Sequence, residues 1–175
     1  MKRTVLILFL GILFLTLQTT LLPSLPIQRI RPDIVLILIL YWGLTFPPVS
    51  GGIASFLLGY LMDLFSGNSF GLYTLTRPLV FYLAHLFKGR VYLESFPSQS
   101  LFVFLFALFE GLLILALLSA LNPSPLGNLS PLFFAFFLPQ SFLAGLIAPI
   151  FFFLLHKIFP AFSPSQEIGL KELAS

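Results

Sequence analysis

RPDIVLILILYWGLTFPPVSGGIASFLLGYLMDLFSGNSFGLYT, residues 31–74, sets Arg31, Asp33, Asp63 and a series of glycines within a background apolar enough to cross a bilayer twice. Hydrocarbon offers no water to polar groups, so each must find its partner inside the protein. Asp33, Asp63 and the glycines around them are therefore expected at interior or functional positions.

The rest of the chain agrees with that solvent. It is 58% hydrophobic and 9% charged, with a mean hydropathy of +1.05, against roughly 25% charged residues in a soluble domain. An all-α integral membrane protein follows. Its 175 residues leave room for one bundle, read as a six-span transmembrane domain over residues 1–160 with a short cytoplasmic tail over 161–175. Any catalysis would have to occur in the membrane. The chain has no cysteine, which removes disulfides, iron–sulfur clusters and thiolate sites together. His85 and His156 fall in different spans with no carboxylate at ligand spacing, so neither a metal nor a cofactor is expected. The net charge is +3, but the basic residues are dispersed and sit mainly at span ends, so nucleic acid is not implied.

Hydropathy divides the chain into spans at about 4–22, 33–46, 49–65, 70–87, 98–121 and 130–156. The first follows Lys2-Arg3 but is long and lacks a small-residue cleavage site, so it reads as a retained helix. The second is too short to cross alone and should be shielded by its neighbours. Tyr41 and Trp42 near its end suit an interfacial anchor, and Pro47-Pro48 a tight connection. With both termini cytoplasmic, Lys2, Arg3, Lys88, Arg90, Lys157 and Lys171 lie inside and Arg29 and Arg31 outside, as the positive-inside rule favours.

Gly51, Ser55, Gly59 and Asp63 recur every four residues and form one helical stripe, a seam for close helix packing within the bundle or against a partner helix. Asp63 and Arg77 stand at reachable depths on either side of the turn bracketed by Gly67 and Gly71, which predicts an ion pair between them. Glu110 near the middle of the fifth span must be paired or protonated, and a hydrogen bond to Gln140 of the last span or to a partner is the simplest account. Arg31, Pro32 and Asp33 suit a helix start.

An Arg-Pro-Asp entering a short apolar helix that ends in Tyr-Trp-Gly, a glycine-rich helix closing on Asp-Leu-Phe-Ser-Gly, and a Gly-Leu-Tyr restart together resemble the rod shape-determining protein MreD family. Pro139-Gln140 and Pro149 of the last span are similar as well. The resemblance implies a bundle similar to the substrate-binding subunit of energy-coupling-factor transporters. It implies a non-enzymatic scaffold or regulator of cell-wall elongation in the cytoplasmic membrane. Its partners would be MreC, the RodA–transpeptidase complex, MreB and membrane lipids. The Gly51–Ser55–Gly59 stripe would then help dock the single transmembrane helix of MreC. The competing class is a solute-binding transport subunit, which needs an enclosed pocket with convergent polar groups.

Overall fold

Helices account for nearly all of the computed structural model, which describes residues 9, 11–13, 15–16, 33–66, 71–90, 95–121 and 133–158. Helix α1 is seen at residues 9, 11–13 and 15–16. It is followed by α2 (Ile34–Thr45), α3 (Pro48–Ser66), α4 (Leu72–Leu86) and α5 (Phe96–Leu121); a π-helical turn, Phe133–Phe137, then leads into α6 (Leu138–Ile158). No strand occurs among the described residues. Among the described residues three stretches are long and apolar enough to cross a membrane: Pro48–Phe65, Phe96–Leu121 and Phe133–Lys157.

Helix α2 is short and almost wholly apolar, and a helix apolar all round has no polar face to turn outward. Its 12 residues make about 18 Å of helix against a hydrocarbon core of about 30 Å. The bundle closes around it: every residue from Val35 to Gly43 is buried. Helix α3 packs chiefly on α4 and α5 on α6, while α2 touches all four. Gly43 lets α2 approach α4 closely, since a methyl there would come within 2.8 Å of Ala84 Cβ and 2.9 Å of the Phe81 carbonyl oxygen.

Tyr41 and Trp42 depart from the expected interfacial role. Both are buried, Trp42 completely, and neither the phenol oxygen nor the indole nitrogen has a hydrogen-bond partner. An aromatic near a span end anchors at the interface only if that end faces lipid. Here the core around α2 covers it, with Phe152 edge-on to Tyr41 and Phe46 edge-on to Trp42. Pro47 does connect α2 tightly to α3, with Pro48 at the first helical position, where a missing N–H costs nothing.

The helix ends alternate in direction. Lys88 Nζ donates to the Thr45 carbonyl at 3.2 Å, and His85 Nδ1 lies 2.8 Å from the Gly43 carbonyl. Because a carbonyl only accepts, that nitrogen carries the proton. The start of α2 and the start of α4 accordingly share the opposite end of the bundle, toward which the buried charged side chains gather.

Candidate functional site

Asp33 caps α2. Its extended backbone (φ −85°, ψ 91°) lets Oδ1 accept from the Leu36 N–H at 3.0 Å, satisfying one donor of the first turn. The other carboxylate oxygen accepts from Arg77 Nη2, and Arg77 Nη1 donates to Glu110 Oε2 at 3.1 Å. Arg77 is completely buried, on the inward face of α4 with Thr76, Val80, Phe81 and Ala84. Tyr73, one turn earlier, sets its ring 5.3 Å from the guanidinium carbon, within cation–π range. One arginine therefore ties together α2, α4 and α5. Two carboxylates face a single guanidinium, the Thr76 hydroxyl stands beside Glu110, and Arg77 Nε is buried without a hydrogen-bond partner.

The expected Asp63–Arg77 pair does not form. Asp63 instead accepts from the Tyr73 N–H at 3.0 Å, the Thr74 N–H at 2.7 Å and the Thr74 hydroxyl at 2.5 Å. Gly71 begins α4 in the left-handed region (φ 98°), a conformation glycine adopts without steric cost, and it has no side chain with which to cap the helix. The orphan N–H groups of the first turn, aided by the positive end of the helix dipole, attract the carboxylate from α3. Arg77 is turned toward α2 and α5, where its own two acids wait. Replacing Asp63 with alanine is expected to destabilise the bundle by about 1.5–3 kcal/mol, the usual value of hydrogen bonds to a charged group. Asparagine should lose less, because one amide oxygen still accepts; unfolding in detergent followed by circular dichroism checks both.

The Gly51–Ser55–Gly59 stripe packs internally. A methyl on Gly51 would overlap the Phe81 ring, one on Gly59 would overlap the Tyr73 carbonyl, and Ser55 is buried with its hydroxyl donating to the Gly52 carbonyl at 2.9 Å. Helix α4 occupies the seam expected for a partner helix, because α3 and α4 follow each other closely in the chain and pack as antiparallel neighbours. The outward face of α3 presents Val49, Ile53, Phe56 and Tyr60 instead.

Glu110 takes its hydrogen bond from Arg77 rather than from Gln140. Gln140 nonetheless stands near it: Asp33, Tyr73, Glu110, Gln140 and Ser141 line one cavity of about 150 Å³, closed elsewhere by apolar side chains such as Ile114 and Phe137. Gly111 makes room for Phe137, whose Cδ1 would lie 2.6 Å from a methyl at that position. The π-helical turn ending at Phe137 left no mark in the periodicity of a phenylalanine-rich segment. Arg31 and Gly67 lie outside the described residues. Among the described residues no trio of histidine, cysteine or acidic side chains is placed to hold a metal ion.

A family model described as rod shape-determining protein MreD matches residues 1–161. No curated protein matches the chain, and no solved structure does.

Proposed function

Because the chain belongs to the rod shape-determining protein MreD family, whose role is in rod shape determination, we propose that it is a non-enzymatic scaffold and regulator of the cell-wall elongation complex, binding MreC in the cytoplasmic membrane. In this reading the RodA–transpeptidase pair and MreB are reached through the same assembly. Lipid covers the remaining apolar surface. The observation that carries the reading is the use made of the buried charges. Asp33, Arg77 and Glu110 hold one another and join three helices, and Asp63 ties a fourth, α3, to the start of α4. Contacts that join helices in this way support a structural role rather than a reaction centre.

The solute-transport alternative fares worse on size. The polar cavity of about 150 Å³ is well below the roughly 300–1,000 Å³ typical of small-molecule sites. A larger groove of about 480 Å³ is lined by Phe104, Phe134, Leu138, Pro139, Phe142 and Leu143, which offer no charged group to recognise a solute. Retention of MreC by the purified protein is the experiment that tests the proposal.

The proposed orientation places both termini in the cytoplasm. Single cysteines at Gln28 and Gly89 report it through an impermeant thiol reagent applied to spheroplasts. Labelling at position 28 with protection at 89 is expected. Equal labelling at the two positions, or the reverse pattern, contradicts the six-span orientation.

A further inference from the structure

We propose that the cavity beside Glu110 is a binding site for a primary ammonium group. It lies toward the end of the bundle where α2, α4 and α6 begin, since Asp33, Tyr73, Gln140 and Ser141 all contribute to its wall. Glu110 lines this space at 4% exposure; Arg77 and the Thr76 hydroxyl are the side-chain donors beside its carboxylate, whose two oxygens keep lone pairs for a further donor. The Ser141 hydroxyl spends its proton on the Phe137 carbonyl at 2.7 Å and keeps its lone pairs for another donor. The Gln140 amide oxygen supplies a third acceptor. Arg77 does not line the cavity, and both of its terminal nitrogens are already donating to carboxylates.

The balance of charge selects the ligand. Two carboxylates against one guanidinium leave a deficit of positive charge in a poorly solvating interior, where an unpaired carboxylate is expensive. An anion would meet the carboxylates of Asp33 and Glu110. A quaternary ammonium has no N–H to give. A primary ammonium carries three donors and one charge, matching three acceptors and the deficit. The space suffices for such a group on a short carbon chain, being equivalent to about five waters at about 30 Å³ each. The ammonium can belong to a free amine or to a lipid headgroup. Either source presents the same chemistry to Glu110.

The test is thermal unfolding of the full-length, lipid-depleted protein in a non-ionic detergent. Methylammonium chloride is titrated beside tetramethylammonium chloride and sodium chloride at equal ionic strength. A saturable rise of the midpoint with methylammonium alone is expected. Gln140→Leu and Ser141→Ala leave the arginine and its two acids untouched, and Gln140→Leu is expected to weaken apparent affinity by about tenfold or more, as loss of a hydrogen bond to a charged group implies. Glu110→Gln should abolish the shift; if that variant does not fold, the other two still decide. Short-chain phosphatidylethanolamine and phosphatidylcholine separate the sources. Stabilisation by the former alone, at lower concentration than methylammonium, supports a headgroup, and indifference to both supports a free amine. Equal stabilisation by all three salts overturns the proposal, as does a methylammonium shift unchanged in Gln140→Leu and Ser141→Ala.

Discussion

Arg77→Gln is expected to destabilise the bundle by about 3–5 kcal/mol, because removing one member of a buried ion cluster leaves the others charged in a medium that solvates them poorly. Here two carboxylates are stranded at once, Asp33 and Glu110, on separate helices that the guanidinium bridges. The loss should appear as a low yield of folded protein and an early unfolding midpoint. Adding Asp33→Asn and Glu110→Gln to Arg77→Gln should recover much of it, since three neutral amides can hydrogen-bond without carrying charge into the interior. Asparagine at 33 is a clean partner for that experiment. It remains a good N-cap for the Leu36 N–H, so its effect reports on the lost contact to Arg77 rather than on the helix start. A triple variant no more stable than Arg77→Gln alone would show that the charges are not what holds α2, α4 and α5 together.

Gly59→Leu is expected to disrupt the isolated protein itself. A side chain at 59 is directed at the Tyr73 carbonyl and the Thr74 Cα, which are backbone and can move only if α4 moves. Overpacking a well-filled site typically costs about 1–3 kcal/mol, and leucine should reach the upper end of that range or exceed it. The displacement also withdraws the first turn of α4 from Asp63, so a capping loss is added to the steric one. Gly59→Ala should show a smaller effect of the same sign. Phe56→Leu, on the outward face and 49% exposed, should leave the unfolding midpoint unchanged. If Gly59→Leu unfolded like the parent, the α3–α4 seam would have to be open to another helix after all.

Much of the architecture was legible because apolar length and periodicity act locally. The short helix at 34–45 had to be covered, since about 18 Å of apolar helix cannot span the core, and Asp33 at its mouth reads as part of a helix start, where its side chain caps the first turn. The glycine stripe declared a close approach without saying to what. What stayed hidden depends on which helices become neighbours. Arg77 finds its acids 44 and 33 residues away, and no spacing announces that. The nearer acid, Asp63, looked like its partner across the turn, but adjacency in sequence concealed a competitor: the bare N–H groups of a helix that starts on glycine. Trp42 erred for a related reason, because a position near a span end does not say whether lipid or protein lies beside it. Glu110 and Gln140 stand out in the sequence as polar positions within spans. That they share a cavity wall, rather than a hydrogen bond, depends on the side-chain packing around Gly111 and Phe137.

Native mass spectrometry of the protein co-expressed with MreC and purified in mild detergent tests the central claim, that the bundle works by holding a membrane partner. A one-to-one complex with MreC is expected for the parent protein and for Phe56→Leu, and a markedly reduced one for Arg77→Gln, whose fold is compromised. Folded parent protein recovered alone, with MreC absent at every detergent concentration that preserves helical structure, would contradict it.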